Sequence, residues 1–406
     1  MGKCLICNSV IDPFMSFGKM PIANGFLTPE QFGDEYFFDM YVAFCPECKM
    51  VQLTEQPDPE KMFHENYAFF SSTSSRMAIH FKEFAEHVKK DFLNAADPFV
   101  VEIGCNDGIM LQNFAKAGIR HLGIEPSSNV AKVANEKGVR TISRFFDANL
   151  ARDIVNEHGQ ADAFLAANVM CHISNFNSVI EGIGILLKPK GVVMFEDPYL
   201  GDVIEKTSYD QIYDEHVFLF SLTSIQYAFG RLGMELIDIE PQSTHGGSMR
   251  YVIAHKGAYP VSDKVKSQLK KEKELGLDNR STYDVFRKNC EQSRDSLKLL
   301  LQEIKRQGKQ IVGYAATSKS TTVLNYCGIN SDLIDYISDT TPIKQGKFSP
   351  GMHIPVRAYD EFVKKYPDYA VLLAWNHAEE IMAKEKKFME SGGKWISFVP
   401  KVQVMK

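Results

Sequence analysis

Three features are missing from this 406-residue sequence, and each absence closes off a class of protein. No apolar run reaches the ~18–20 residues of a membrane-spanning helix. No basic excess is present: 46 Lys and Arg stand against 51 Asp and Glu, a net charge of −5. The chain therefore lacks the positive field that non-specific nucleic-acid binding requires. No internal repeat or low-complexity tract is found either. Met1-Gly2-Lys3-Cys4 is not followed by the apolar segment of a secretory leader, and Ile6 stands where N-myristoylation wants Ser or Thr. We expect a cytoplasmic protein without nucleic-acid or membrane partners. In that compartment the eight cysteines are not a disulfide framework. Some should ligate metal and the rest should be buried thiols.

What is present fits two or three domains, since 44% of the residues are hydrophobic and 24% charged. The first seventy residues are rich in aromatics and turn prolines. From Ala78 to Phe92 the apolar positions recur at helical spacing. Strand and helix signals then alternate: Phe99–Ile103, a helix with Leu111 and Phe114, His121–Ile124, Ala163–Ala167 and Gly191–Glu196. Residues 262–308 read as helical, with Lys264 to Glu274 forming a solvated charged face. Strands are expected at Gln310–Tyr314, Leu333–Ile337 and Ala370–Ala374. The expected fold is α/β: a central doubly wound, Rossmann-like sheet over 73–258, a small zinc module over 1–72, and a second Rossmann-like domain over 259–406.

Cys4-x-x-Cys7 and Cys45-x-x-Cys48 are two knuckles with the spacing that lets paired thiolates grip one tetrahedral ion. A closed four-sulfur site keeps no open position, so its zinc is structural. The residues between the knuckles, including Phe14, Phe17, Phe26, Phe32 and Tyr36, are aromatic and acidic. That favours packing on a neighbouring domain over binding DNA.

Glu102-Ile-Gly104-Cys-Asn106-Asp107-Gly108 follows a strand and opens a helix, where glycines allow a tight turn and close approach to a ligand. Glu125 ends the next strand about 20 residues on, where a carboxylate meets ribose hydroxyls. This pattern has carboxylates rather than a phosphate cradle. It suits S-adenosylmethionine (SAM), with its cationic sulfonium and amino-acid tail, better than a nicotinamide dinucleotide. Phe146 is a candidate border for the adenine, and Asn168 ends the strand toward which the methyl group would point.

Several further clusters carry chemistry. His172 stands just past a central strand. Tyr213-Asp-Glu215-His216 packs a phenol, carboxylates and an imidazole together: the imidazole can remove a proton, an adjacent carboxylate can orient it, and the phenol can stabilise an oxyanion. His245-Gly-Gly-Ser248-Met-Arg250 reads as a close-approach loop, with His245, Ser248 and Arg250 as candidate substrate-binding residues. Ser318-Lys319 opens a helix and suits a diphosphate, with Lys347 or Lys344 adding charge and Asn376 a pocket residue.

The zinc knuckles, E-I-G-C-N-D-G, N-V-x-x-H, Y-D-E-H-V-F-x-F-S, H-G-G-S-M-R, G-Y-A-A-T-S-K-S-T-T-V-L-N-Y, K-x-x-P-G-x-x-I-P and L-A-W-N occur in one order along the chain. As an ensemble they resemble the SAM-dependent nucleotide-sugar C-methyltransferases, including the branch that methylates C-3′ of dTDP-linked sugars. The resemblance implies a nucleoside-diphosphate 4-keto-6-deoxy sugar, usually dTDP-linked, as substrate. It carries His216 over as catalytic base with Glu215 and Tyr213 beside it, and His172 and Tyr67 as substrate-side groups. Leu219 departs from the aromatic found there in many members, which leaves the sugar open. Three readings stay open beside it: an O- or N-methyltransferase, a zinc-ribbon binding protein, and a scaffold that binds SAM without catalysis. A monomer is expected.

Overall fold

The computed structural model describes residues 2–57, 71–73 and 75–405. Among them no helix is long and apolar enough to cross a membrane. Gly2–Lys3 pairs antiparallel with Val10–Ile11 around the first cysteine knuckle. The two knuckles repeat one backbone geometry. Asn8 N donates to the Cys4 carbonyl and Lys49 N to the Cys45 carbonyl, both at 2.9 Å, with φ 62° at Asn8 and at Lys49. Asn tolerates that left-handed conformation; Lys adopts it only under constraint. Pro13–Pro21, Phe37–Phe44 and Val51–Leu53 form an antiparallel sheet, and its fourth strand is Phe218–Leu219, from far along the chain.

The central sheet has seven strands in the order Met234–Gln242, Ser248–His255, Leu187–Pro198, Ala161–Ala167, Phe99–Ile103, Arg120–Ile124, Thr141–Ile142. The last five run parallel and Ser248–His255 is antiparallel to both neighbours. Chain order reverses between Phe99–Ile103 and Ala161–Ala167, which opens a crevice at their carboxyl ends. The carboxyl-terminal sheet repeats the plan: Val356–Ala358, Ile337–Asp339, Ile311–Tyr314, Tyr369–Leu372 and Lys394–Ser397 are parallel, with Gln403–Met405 antiparallel at the edge.

The α/β reading with two Rossmann-like sheets holds, with local differences. The third domain's second strand forms over Ile337–Asp339, later than the expected Leu333–Ile337, because the Leu333 and Ile334 amides turn back onto the Asn330 carbonyl. The helix after the glycine turn shrinks to Gln112–Ala115. Residues 262–308 are helical as expected, in Asp263–Glu274 and Arg280–Arg306. The charged face is not wholly solvated. Glu272 is buried and accepts from the Leu222 and Thr223 amides at 2.6 and 3.0 Å, from Thr223 Oγ1 at 2.7 Å and from Tyr199 Oη at 2.9 Å. Four donors compensate its desolvation.

Phe14, Phe17 and Phe44 pack on the neighbouring domain as expected, whereas Tyr36 and Phe37 are exposed. Phe14 and Phe44 lie 5.2 and 4.6 Å from the Tyr283 ring, and Phe17 lies 4.8 Å from Tyr326. One core joins Cys4, Cys45 and Met50 to Phe176, Phe218 and Phe220 of the central domain. A second joins Phe14, Phe17 and Met20 to Phe286 and Leu324. Each buried aromatic contributes ~1.5–3 kcal/mol, so the cysteine module is bonded to both larger domains.

Candidate active site

At the metal module, Cys4 and Cys48 Sγ lie 3.4 Å apart, as do Cys7 and Cys45 Sγ, and all four sulfurs fall within 4.8 Å of one another. Tetrahedral zinc–sulfur bonds of ~2.3 Å place sulfurs ~3.8 Å apart, so these four thiols fit one zinc. Ile6 and Leu5 carbonyls in the same turn accept from Asn177 Nδ2 at 3.0 and 3.1 Å, which fastens the knuckle to the central domain.

The glycine turn lies in the central crevice. Gly104 has φ +59°, and a Cβ there would sit 2.3 Å from a Val169 methyl. Glu125 accepts from the Asn106 amide at 3.0 Å and the Ser127 amide at 2.9 Å. Asp107 accepts from Lys137 Nζ at 2.9 Å. Ser71 N donates to Asn106 Oδ1 at 3.0 Å and Ser72 N to Asp107 Oδ2 at 3.3 Å, so this segment closes over the turn. Among the described residues Glu102 Oε2, Asp107 Oδ1 and Asn168 Oδ1 are buried without a hydrogen-bond partner. Burial, and then the Glu125 carboxylate, hold Glu102 well above the usual carboxylate range. Unshared acceptors around a Cβ-free turn fit a cofactor that brings a sulfonium, an ammonium and ribose hydroxyls. Phe146 turns inward, 5.2 Å from the Phe164 ring, while Phe145 is exposed. Asp147 caps helix Ala148–His158 through the Leu150 amide at 2.8 Å.

Residues 209–217 form the seam of the three domains. The segment is fixed because Phe218–Leu219 pairs with Val51–Leu53 and Leu53 N donates to the Val217 carbonyl at 2.8 Å. Ser221 then caps the next helix. His216 Nδ1 lies 2.7 Å from the Gln211 carbonyl, and its Nε2 lies 2.9 Å from Tyr213 Oη. A carbonyl only accepts, so Nδ1 carries the proton and Nε2 offers its lone pair. The His172 ring stacks on His216 at 5.3 Å. Burial pushes His172 down to about 4. Burial, then the His172 and Lys319 charges, hold His216 well below its ordinary value, so it is neutral. Tyr67 lies outside the described residues.

The carboxylates beside His216 turn elsewhere. Glu215 accepts from Asn24 Nδ2 at 2.7 Å, and Asn24 Oδ1 accepts from Ser318 Oγ at 2.9 Å, a chain that runs through all three domains. Both Asp214 oxygens face the Ala23 amide, at 3.2 and 3.3 Å. The imidazole is thus oriented by a backbone carbonyl, where sequence reasoning expected an adjacent carboxylate. Gln211 carries no signal for this in its side-chain type. Sequence reasoning does not find Asp210 or Trp375 as site residues: Trp375 Nε1 donates to Asp210 Oδ2 at 2.6 Å, and although Trp375 stands in the L-A-W-N motif, Asp210 precedes the Y-D-E-H run and lies in no motif noted above.

The expected substrate residues divide. Lys319 is buried and points into the seam, its Nζ 3.4 Å from the His245 carbonyl. Burial pushes its ammonium down to about 8, against the pull of Asp210. Thr321 and Thr322 of the same helix donate to the Ala23 and Ile212 carbonyls at 2.9 and 2.8 Å. The loop His245–Gly247 is pressed against the third domain, since a Cβ on Gly246 would lie 2.2 Å from the Trp375 ring. Ser248 Oγ donates to the Thr244 carbonyl at 3.1 Å. Arg250 is buried, bonded to Glu196 and Glu240 at 2.9 Å each and 3.8 Å over the Phe84 ring. Lys344 donates to the Ala316 carbonyl at 2.7 Å. Lys347 and Asn376 are half-buried.

Three family models match the chain in order. One described as "Putative zinc binding domain" covers residues 4–63, "Methyltransferase domain" covers 75–239, and "C-methyltransferase C-terminal domain" covers 243–400. The chain is 34% identical over 410 residues to the C-methyltransferase NovU of Streptomyces niveus, spanning 100% of this chain and 97% of that protein. It is 30% identical over 98 residues to a ubiquinone biosynthesis O-methyltransferase of Shewanella halifaxensis, spanning 24% of this chain and 42% of that one. The solved magnesium protoporphyrin IX methyltransferase of Synechocystis with bound SAH overlaps 44% of this chain and 83% of its own, at 15% identity and a TM-score of 0.35.

Proposed function

Because this chain belongs to the sugar C-methyltransferase family and uses SAM as its methyl donor, we propose that it methylates a ring carbon beside the ketone of a nucleoside-diphosphate 4-keto-6-deoxy sugar, dTDP-linked in the first instance. The observation that carries this reading is the neutral His216, with Nε2 presented beside the Tyr213 hydroxyl. A carbon next to a ketone is acidic because its carbanion delocalises onto oxygen. A base with an adjacent hydroxyl donor is the pair such a carbon needs.

Bound SAM supplies an electrophilic methyl group. Glu102, Gly104, Asn106, Asp107 and Glu125 would hold it, with Asn168 at the methyl end. His216 Nε2 removes the proton from the ring carbon, and Nδ1–H on Gln211 steadies the imidazolium that forms. Tyr213 Oη turns from Nε2 to the ketone oxygen, which frees the lone pair and lets the hydroxyl hold the enolate, and His172 stacks on the same imidazole. Lys319 contributes a positive charge to the cavity. Tying residues 209–217 to all three domains fixes the base relative to the donor. Such positioning supplies up to ~7–11 kcal/mol of barrier reduction. The domain limits 1–72, 73–258 and 259–406 fit this division of labour.

The test is mass spectrometry of sugar nucleotides after incubation with SAM. dTDP-4-keto-6-deoxyglucose and its 3-deoxy and 3-amino relatives are compared with the reduced 4-hydroxy sugar. A gain of one methylene on a keto sugar alone supports the reading. An equal gain on the reduced sugar assigns O-methylation and overturns it.

A further inference from the structure

Beside the base stands a buried thiol that the reaction does not use, and with the two imidazoles it makes a donor set of its own. Cys171 Sγ, a nitrogen of His172 and a nitrogen of His216 all lie within 4.8 Å of one another. Cys171 and His216 are buried and His172 is half-buried. Against the Cys171 thiol stands Asp197, fully buried on strand Leu187–Pro198. Among the described residues neither Asp197 carboxylate oxygen has a hydrogen-bond partner of ordinary geometry.

We propose that Cys171, His172 and His216 form a second, exchangeable metal site, and that a borderline-soft divalent cation such as zinc bound there shuts off methyl transfer by capping the base. A thiolate with two imidazoles selects zinc-like ions over magnesium or calcium, which prefer oxygen. Tetrahedral zinc holds N and S ligands ~3.3–3.8 Å apart, so modest side-chain rotations close the observed spacing. His216 is already in the state such a ligand needs. Its Nδ1–H is held by the Gln211 carbonyl at 2.7 Å, the outer bond that metal-bound imidazoles make, and Nε2 is left to ligate once the Tyr213 hydroxyl, 2.9 Å away, turns aside.

Coordination breaks the Cys171 S–H bond and forms an S–metal bond, with the proton released to solvent. The thiolate and the Asp197 carboxylate then balance the 2+ charge. With three protein ligands the site keeps an open position, unlike the closed four-sulfur site at Cys4, Cys7, Cys45 and Cys48. Metal binding here does not depend on the identity of the sugar. The inhibition does rest on His216 being the base.

Protein carrying zinc in its four-cysteine site is titrated with Co²⁺, following absorption, metal content per chain, released zinc and methyl transfer together. The expected result is a second ion per chain, cobalt–thiolate charge-transfer bands, no released zinc, and activity falling with band growth. Cys171→Ser keeps basal activity, loses the charge-transfer bands and requires about tenfold or more cobalt for inhibition. Cys171→Ala is read in parallel, with SAM binding confirming that each variant is folded. The proposal is overturned if stoichiometry stays at one ion, if released zinc matches bound cobalt, if both Cys171 variants are inhibited like wild type, or if the second ion binds without loss of activity.

Discussion

His216 Nδ1 lies 2.7 Å from the carbonyl oxygen of Gln211, five residues earlier in the chain. That contact sets the tautomer and aims Nε2 at Tyr213 Oη. Backbone supplies here what a carboxylate supplies in many acid–base sites, so the base is oriented without a neighbouring negative charge. Burial can then keep the imidazole neutral and unsolvated.

Tyr213→Phe removes the hydroxyl that turns to the enolate and leaves the His216–Gln211 bond in place. The expected loss is about 10²-fold in kcat, with SAM binding unchanged by calorimetry. A kcat within twofold of wild type places the oxyanion donor elsewhere.

The charge on Lys319 makes activity fall at high pH. Its ammonium is pushed down to about 8 by burial, so it loses its proton, and the cavity its positive charge, as pH rises through that value. His216 lies well below its ordinary value and is already neutral at pH 6.5, so the acid limb falls below that. The kcat/KM profile should therefore decline on the alkaline side near pH 8. Lys319→Arg, which does not titrate there, should remove that limb. An unchanged alkaline limb in the variant assigns it to another group.

Much of this site was legible because its signals are local. The two C-x-x-C knuckles state their own geometry, and the glycines of the 104–108 turn answer to φ and close approach. The Y-D-E-H run stood out by composition. What was not legible depends on long-range packing. Glu215 reads as a partner for its neighbour His216, yet it bonds Asn24, almost two hundred residues away. Arg250 reads as a substrate cation, yet Glu196 and Glu240 on adjacent strands hold it. The helix start at Ser318–Thr322 reads as backbone N–H groups and Lys319 for a diphosphate, and the sequence does not show that the Ser318, Thr321 and Thr322 hydroxyls serve Asn24, Ala23 and Ile212. Glu272 sits in a charge-dense helix and is buried because another helix's first amides need an acceptor.

Gly104→Ala tests the cofactor turn. The left-handed backbone costs ~1–2 kcal/mol for a residue with a Cβ, and that Cβ would meet the Val169 methyl at 2.3 Å. SAM affinity should drop about tenfold or more, and Val169→Ala in the same chain should recover part of it. Full affinity in the single variant contradicts the close approach.

Chelating zinc should destabilise more than the small module. Cys4, Cys45 and Cys48 share a core with Phe176, Phe218 and Phe220, and Asn177 is bonded to the first knuckle. Structural zinc contributes about 10–16 kcal/mol of binding free energy in isolated fingers, so its removal should lower the thermal midpoint of the central domain and weaken SAM binding. An unchanged midpoint by calorimetry would separate the module from the site.

The central claim is that His216 takes the proton from the ring carbon. Its most direct measurement is deuterium exchange at that carbon, by NMR, for the keto sugar nucleotide incubated in deuterated water with SAH and either wild-type or His216→Asn protein. The account predicts exchange with wild type, none above background with His216→Asn, and equal SAM binding by both. Exchange at the wild-type rate in the variant contradicts it and moves the base to another group in the cavity.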